Sequence, residues 1–175
     1  DMLRKGEKIP DWFTFPEIAD QLKKKFDREG TKGTCVYLVG LSGSGKTTVA
    51  NHLKTKLLEE DFTREISILD GDVIRQNLSK GLGFCKEDRS TNVRRIGYVA
   101  SEIVRHKGIV ICANISPYDE DRLHNRKAIE KHGRYIEVLV DPGVDVCEQR
   151  DVKGLYKLAR QGKITQFTGI SDPFE

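Results

Sequence analysis

The 175-residue sequence has no apolar stretch long enough to cross a membrane, and its first residues lack the pattern of a signal peptide. It also has no block of five like charges. The longest basic run, Lys23–Lys25, is accounted for by a solvated helix face, and the net charge is only +3. We therefore expect a cytoplasmic protein without a nucleic-acid or membrane partner.

Paired cysteines are absent as well. The four cysteines are scattered, and no two stand in a C-x-x-C pattern. Two of them lie inside apolar, strand-like runs, so we predict buried free thiols in a reducing compartment. The four are Cys35, Cys85, Cys112 and Cys147.

The most informative stretch that is present is GLSGSGKT at residues 40–47, which satisfies G-x-x-x-x-G-K-[ST] at every fixed position. A short apolar run, Cys35–Val39, precedes it and predicts a strand, while a helical pattern follows it. Glycines let the backbone turn tightly and aim its N–H groups inward at an anion, and the helix N-terminus adds further donors. Lys46 can reach the outer phosphates, and the Thr47 hydroxyl can bind Mg²⁺. The sequence therefore predicts a nucleoside triphosphate site.

The length predicts one main domain, and strands alternate with helices along it. Strands are predicted over residues 35–39, 66–69, 109–113 and 135–140, and helices over residues 48–59, 87–106 and 119–131. This alternation predicts a three-layer α/β fold of the P-loop kinase type with a mostly parallel sheet. From Val144 onward the chain is polar and helical, and Lys153, Lys157 and Arg160 recur at helical spacing. We interpret this part as a basic helical lid over the triphosphate.

Two further absences narrow the class of protein. No N-K-x-D signature of guanine-nucleotide switches occurs, and the apolar run Ile109–Ala113 ends without an acid. The acids follow the second strand instead, as Asp70 and Asp72. Ligands of α/β sheets bind beyond the carboxyl ends of the strands, so these acids are placed to face the nucleotide. An Asp near the γ-phosphate can position an attacking hydroxyl and accept its proton, as in a small kinase.

A set of motifs in unbroken order resembles one family. They are GLSGSGKT at 40–47, LDGDVIR at 69–75, LGF at 82–84, EDR at 87–89, NVRR at 92–95, ISP at 115–117, CEQRDVKGLYK at 147–157 and FTGI at 167–170. Together they resemble adenylyl-sulfate kinase, which phosphorylates the ribose 3′-hydroxyl of adenosine 5′-phosphosulfate from MgATP. Asn114 departs from the family pattern, which often has an aromatic or small apolar residue before Ile-Ser-Pro.

The resemblance implies a role for individual residues. It implies that Asp72 is the proposed base, that Asp70 supports the metal and the geometry, and that Thr47 binds Mg²⁺. The implied ATP-binding residues are Gly40, Leu41, Ser42, Gly43, Ser44, Gly45, Lys46, Thr47, Thr48 and Arg150. The implied acceptor-binding residues are Asp72, Arg75, Phe84, Arg89, Asn92, Ile115, Ser116, Lys153 and Phe167, of which the two phenylalanines would clasp the adenine.

Ser116 has three competing interpretations. The resemblance implies a catalytic position, because some family members have this serine assigned as a phosphoserine intermediate. A serine hydroxyl needs an adjacent base, whereas direct in-line transfer needs only positioning and charge stabilisation. Ser116 to Asp119 also fits a helix N-cap. We predict substrate positioning and capping, without an obligatory phosphoenzyme.

The first 33 residues differ in character from the rest. Thr14–Glu17 fits a capping box that opens a helix, with Ile18, Leu22 and Phe26 on one face, and Gly30–Gly33 fits a linker. Leu3-Arg4, Gly6, IPDWF at 9–13 and FPE at 15–17 resemble the closing stretch of ATP sulfurylase. This second resemblance implies a fused sulfurylase–kinase. Residues 34–175 would be its kinase domain, without the family's last strand and helix, and we expect a homo-oligomer.

Two other functions are consistent with parts of the pattern. Another small P-loop kinase, for a nucleotide or a sugar acid, would share the phosphate loop. A catalytically dead regulatory domain on a sulfurylase would share the fold, but it would have no need to keep Lys46, Asp72 and Arg89 together.

Overall fold

The chain divides into two compact units, Asp1–Lys32 and Gly33–Glu175. The computed structural model describes residues 10, 12–21, 32–60 and 65–175. No helix in these described ranges is both long and apolar enough to span a membrane.

In the first unit, residues 16–21 are helical, which confirms the helix that the sequence predicts there. The backbone amides of Ile18 and Ala19 donate to the Phe15 carbonyl at 3.0 and 2.9 Å. The helix therefore begins one residue later than the capping box predicts, with Pro16 at the first helical position, where its missing N–H costs nothing. Leu22 and Phe26 of the predicted apolar face lie outside the described residues.

The second unit is built on four strands that form one parallel sheet in the order β2-β3-β1-β4. The strands are β1 (Gly33–Val39), β2 (Ile66–Asp70), β3 (Ile109–Ala113) and β4 (Gly133–Leu139). The helices are α1 (Lys46–Glu60), α2 (Gly71–Gln76), α3 (Lys86–Arg105), α4 (Asp119–Glu130), α5 (Val144–Arg150) and α6 (Leu155–Arg160). The predicted α/β class and parallel sheet are confirmed. Gly33, which the sequence assigned to the linker, is the first residue of β1.

The core lies on both faces of the sheet, as a three-layer fold requires. One face buries Cys35 and Tyr37 of β1 with Ile96 of α3. The other face buries Leu38 with Ala50 of α1. All five residues of β3 are buried, which explains why that strand is apolar throughout.

The segment after β4 differs from the predicted basic helix. It forms two short helices, α5 and α6, separated by a turn in which Asp151 and Gly154 have φ angles of 21° and 67°. Because the chain leaves the helix at Asp151, the basic residues 150, 153, 157 and 160 do not share one helical face. Arg160 instead pairs with Glu148 at 2.8 Å.

The thiol prediction holds for three of the four cysteines. Cys35, Cys112 and Cys147 are free and buried, whereas Cys85 is free and exposed. Cys85 is exposed because it is the N-cap residue of α3, which lies at the end of a surface loop.

Candidate active site

The phosphate loop joins β1 to α1 and takes its shape from its glycines. Gly40 and Gly43 have φ angles of 144° and 75°, which side-chain-bearing residues rarely adopt. A Cβ on Gly40 would also lie 2.4 Å from the carbonyl oxygen of Val140. The glycines are therefore needed for both the turn and the close approach of the neighbouring strand.

Lys46 lies inside this loop. Its ammonium donates to the carbonyl oxygen of Leu41 at 2.6 Å and to the hydroxyl of Ser44 at 3.3 Å, and only 9% of the residue is exposed. The pKa of Lys46 is lowered to about 8, mainly by burial and in part by the charge of Lys153, while Cys147, Asp70 and Asp72 act in the opposite direction. The loop thus holds a desolvated cation within reach of a bound phosphate.

Thr47 and Asp70 connect the loop to the end of β2. The Thr47 hydroxyl donates to Oδ2 of Asp70 at 2.6 Å, and Oδ1 of Asp70 accepts from the amide of Asp72 at 2.9 Å as the N-cap of α2. Among the described residues, no group of three or more His, Cys, Asp or Glu could hold a metal by itself. A hydroxyl and one carboxylate beside a phosphate loop fit Mg²⁺, which takes oxygen ligands and keeps waters and phosphate oxygens.

Asp72 lies in the first turn of α2, where its side chain is 60% exposed. Its Oδ2 pairs with the ammonium of Lys153, which comes from the turn between α5 and α6. The predicted base and the lid therefore meet directly, and the predicted site residues from the loop, β2, α2 and the lid form one connected group.

Arg150 and Tyr156 attach the lid to the phosphate loop itself. Nη1 of Arg150 donates to the carbonyl oxygens of Gly43 and Ser44 at 3.2 and 3.4 Å. The Tyr156 hydroxyl donates to the carbonyl oxygen of Ser42 at 2.9 Å. Tyr156 was not predicted as a site residue, and its place in the CEQRDVKGLYK motif was the only available signal.

Arg89 and Asn92, one turn apart on α3, are both buried. Nη1 of Arg89 donates to the Thr168 hydroxyl at 2.8 Å and pairs with Oδ2 of Asp172 at 3.0 Å. Within the described part of the chain, Nε and Nη2 of Arg89 and Oδ1 of Asn92 are buried without a hydrogen-bond partner. Unpaired buried polar atoms are costly, so the two nitrogens of Arg89 are suited to an anionic group of a ligand and the Asn92 oxygen to a hydrogen-bond donor on it.

Arg75 and Phe84 form a pair near this cluster. The Arg75 guanidinium lies 4.4 Å from the centroid of the Phe84 ring, and Nη1 donates to the carbonyl oxygen of Gly83 at 2.8 Å. Burial lowers the pKa of Arg75, as does the charge of Arg89, while Asp88 and Asp72 raise it. Arg75 therefore lies close enough to interact electrostatically with both Asp72, the predicted base, and Arg89.

The two phenylalanines of the predicted adenine clasp have different surroundings. Phe84 is 66% exposed, whereas Phe167 is 8% exposed. The Phe167 ring packs edge-to-face on Tyr156, with centroids 4.9 Å apart, in a cluster that includes Leu41. Only Phe84 presents its ring to solvent, and the clasp stays a prediction.

Ser116 is buried, with only 1% of the residue exposed. Its hydroxyl lies 3.1 Å from that of Tyr37 and accepts from Nδ2 of Asn114 at 2.7 Å. The predicted N-cap role of Ser116 is wrong, because Tyr118 occupies the N-cap position of α4. Two residues, Pro117 and Tyr118, separate Ser116 from the helix. Its neighbour Ile115 accepts from the amide of Gly40 at 3.4 Å.

A cavity of about 570 Å³ adjoins the loop on its Leu41 side. Its walls include Leu41, Val140 and Val144, together with residues 169–174. The C-terminal segment therefore belongs to the surroundings of the phosphate loop.

These features together define the class of protein. It is a small P-loop phosphotransferase, with a phosphate loop, a hydroxyl–carboxylate pair for a metal, the buried Arg89 and Asn92, and a lid.

Comparisons with known proteins give the family. The profile of the family described as adenylylsulphate kinase matches residues 32–175. An adenylyl-sulfate kinase of Microcystis aeruginosa is 52% identical over 144 residues, which is 82% of this chain and 77% of that protein. The chain belongs to the adenylyl-sulfate kinase family. This confirms the predicted resemblance and the predicted activity, ATP-dependent phosphorylation of adenosine 5′-phosphosulfate.

Solved structures agree with this assignment. The structure of the Mycobacterium tuberculosis APS kinase in complex with AMPPNP and APS is 41% identical, covers 83% of each chain and has a TM-score of 0.77. A hexameric APS kinase from Thiobacillus denitrificans is 45% identical and has a TM-score of 0.59, over 79% of this chain and 28% of that one. The P-loop kinase fold predicted from the sequence is therefore confirmed.

One relative extends over nearly all of this chain. A sulfate adenylyltransferase of Aspergillus oryzae is 41% identical over 173 residues, which is 99% of this chain and 30% of that protein. The similarity therefore includes the first unit as well as the second.

Proposed function

We propose that the chain transfers the γ-phosphoryl group of MgATP to the ribose 3′-hydroxyl of adenosine 5′-phosphosulfate through the residues described above. The products are 3′-phosphoadenosine 5′-phosphosulfate and ADP. Arg89 carries the proposal, because its buried guanidinium keeps two nitrogens without a partner among the described residues, and such donors suit an acceptor that is itself an anion.

The transfer proceeds in line. The 3′-oxygen attacks the γ-phosphorus, the bond from that phosphorus to the β,γ-bridging oxygen breaks, and ADP leaves with the electron pair. Asp72 accepts the proton of the attacking hydroxyl, since it lies at the start of α2, next to the Asp70–Thr47 pair. For this step the carboxylate has to exchange its contact with Lys153 for one with the hydroxyl.

The loop and its neighbours provide positioning and charge. Lys46 neutralises the outer phosphates, and Arg150 approaches the loop from the lid. Thr47, supported by Asp70, would hold Mg²⁺, which supplies charge neutralisation of the phosphates when bound. Ser116 does not need to form a phosphoenzyme, because its hydroxyl is engaged by Tyr37 and Asn114.

The test is release of ADP that depends on the acceptor. The chain should release ADP with adenosine 5′-phosphosulfate and much more slowly with AMP or gluconate. Lys46→Ala is the control, and it should lose nearly all of this activity. Equal rates with AMP or gluconate would favour another small kinase, and no acceptor-dependent ADP would favour a regulatory domain.

We also propose that the chain is part of a fused sulfurylase–kinase. The motifs in residues 3–17 and the similarity to a sulfate adenylyltransferase over 99% of the chain support this. A homo-oligomer is supported by the hexameric relative, and a reducing cytoplasm by the four free cysteines. Sequencing of the full transcript tests the fusion, and determining the size of the purified chain in solution tests the homo-oligomer.

A further inference from the structure

Asp172 lies at the centre of the contacts that hold Arg89. A single oxygen of this carboxylate, Oδ2, pairs with Nη1 of Arg89 at 3.0 Å and accepts from the Tyr118 hydroxyl at 3.0 Å. The same Nη1 donates to the Thr168 hydroxyl at 2.8 Å. Two acceptors therefore lie on one nitrogen of the guanidinium, and Asp172 is the member that carries a charge.

These contacts fix the orientation of the guanidinium and leave its other edge free. Because the guanidinium is planar, engaging Nη1 from one side determines where Nε and Nη2 point. Among the described residues these two nitrogens have no partner, although Arg89 is only 8% exposed. The Tyr118 ring lies 5.4 Å from the guanidinium carbon and limits its movement further. Two parallel donors held in this way match a bidentate contact with a phosphate or sulfate group.

The carboxylate is itself held by a closed turn. The amide of Asp172 donates to the carbonyl oxygen of Phe167 at 3.1 Å, and its carbonyl oxygen accepts from the amide of Gly169 at 2.8 Å. Further along, Nη2 of Arg122 donates to the carbonyl oxygen of Glu175 at 2.6 Å. The segment is therefore attached on both sides of Asp172, as a support for another side chain should be.

Tyr118 completes the arrangement. Burial raises the pKa of Tyr118 to about 12, and its hydrogen bond to Asp172 acts in the same direction. The phenol therefore remains a donor to the carboxylate at neutral pH. The Tyr118 hydroxyl contacts Oδ2 of Asp172 and thereby orients the carboxylate that pairs with Arg89.

We propose that Asp172, supported by Tyr118, is a positioning residue that turns the Nε and Nη2 edge of Arg89 toward the anionic group of the acceptor substrate. This inference rests on the proposed function, since the acceptor is adenosine 5′-phosphosulfate. It assigns Asp172 to recognition of the acceptor and not of ATP. If the Asp172 carboxylate only neutralised the buried charge of Arg89, its loss would lower the stability of the chain and would change KM for both substrates to the same extent.

The experiment measures KM for each substrate, kcat and the melting temperature in Asp172→Ala, Asp172→Asn and Tyr118→Phe. Asp172→Ala should raise KM for adenosine 5′-phosphosulfate by about tenfold or more, the effect of losing a charge-assisted contact, with KM for ATP within about twofold. In Asp172→Asn the amide oxygen can still accept from Arg89 and Tyr118, so KM should return to within about threefold of the wild type. Glu130→Ala, which removes an exposed carboxylate at the end of α4, is the matched control and should change neither KM.

Three results would overturn the inference. They are an unchanged KM for the acceptor in Asp172→Ala, an equal rise in KM for both substrates in that variant, and tighter binding of the acceptor in Asp172→Ala or Asp172→Asn. If Asp172→Ala fails to fold, Tyr118→Phe decides, because it removes only one hydroxyl. It should raise KM for the acceptor by about threefold with a cooperative melt retained, and an unchanged KM would contradict the proposal. A wild-type chain that does not phosphorylate adenosine 5′-phosphosulfate contradicts the proposed function and this inference with it. An active wild type with unaltered variants contradicts the inference alone.

Discussion

Lys153 and Asp72, 81 positions apart in the sequence, form an ion pair between the lid and the first turn of α2. Asp72 is the residue to which the proposed mechanism gives the acceptor's proton. The pair therefore connects the lid segment to the proposed base, and Asp72 can accept the proton only after this contact breaks.

Replacing Asp72 by Asn should lower kcat by about 10²–10⁴-fold with little change in KM for either substrate, because the amide cannot accept the proton. Steady-state kinetics with both substrates measure this. Lys153→Met is the matched control, since it breaks the same ion pair but keeps the carboxylate. It should lose less than about tenfold in kcat and should raise KM for the acceptor. An unchanged kcat in Asp72→Asn would move the role to Asp70 or leave only positioning.

Lys46 should make nucleotide binding sensitive to alkaline pH. Because burial lowers its pKa to about 8 in the ligand-free chain, the ammonium is lost at a lower pH than its ordinary value of 10.5 implies. ATP, being anionic, favours the charged form, so binding above pH 8 should take up a proton and weaken as the pH rises. Calorimetry in buffers of different ionisation enthalpy measures this uptake. Lys46→Met should show neither effect and should keep less than about a tenth of the activity, a deficit of at least 1.4 kcal/mol.

The same residue predicts a change in stability with pH. Between about pH 8 and 10.5 the unfolded chain binds more protons at this site than the folded one, so the contribution of Lys46 to the free energy of unfolding rises with pH. Below pH 8 the cost of burying the charge is present in full. The stability of the wild type relative to Lys46→Met, from denaturant unfolding, should therefore be higher at pH 9.5 than at pH 7. A difference that is constant or falls with pH would contradict the assignment.

Ser116→Ala should keep measurable activity. The substitution removes one hydroxyl from a buried network and should cost about 1 kcal/mol of stability, since Tyr37 retains the amides of Asn114 and Asn125 at 3.1 Å. Activity assays and thermal unfolding measure the two effects. Complete inactivation, together with a chemically competent phosphoserine trapped with MgATP alone, would show that a phosphoenzyme is obligatory.

The predicted aromatic clasp can be tested by comparing its two members. Phe84→Ala should weaken binding of adenosine 5′-phosphosulfate, spare ATP and cost little stability, because the ring is exposed. Phe167→Ala should have the same selectivity but should also destabilise the chain by about 3–5 kcal/mol, because its ring packs on Tyr156. Binding calorimetry and melting curves separate the effects. Equal weakening of both substrates in Phe84→Ala would refute the clasp.

The sequence predicted those parts of the molecule that depend on local rules. The phosphate loop has fixed spacing, and the buried strand β3 has an unbroken apolar run, so both were placed correctly. The break in the lid was missed, although Gly154 was visible in the sequence, because the basic periodicity suggested a continuous helix. Asp172 was missed for a different reason. Its partners Arg89 and Tyr118 come from distant elements, and no spacing rule connects them.

The order of the strands has a consequence for how the chain acquires its structure. β1 lies between β3 and β4, yet Thr34 pairs with Ile109 and Arg134, and the nearest pairing in sequence is that of Ile66 with Ile109. Among the described strands, β2 and β3 are the one consecutive pair that is hydrogen-bonded, and the whole of α2 and α3 lies between them. Such non-local pairing makes the search for the native sheet slow. Residues 40–108 lie between β1 and β3, so during synthesis the strand that leads into the phosphate loop has to wait for all of them before its first neighbour is made.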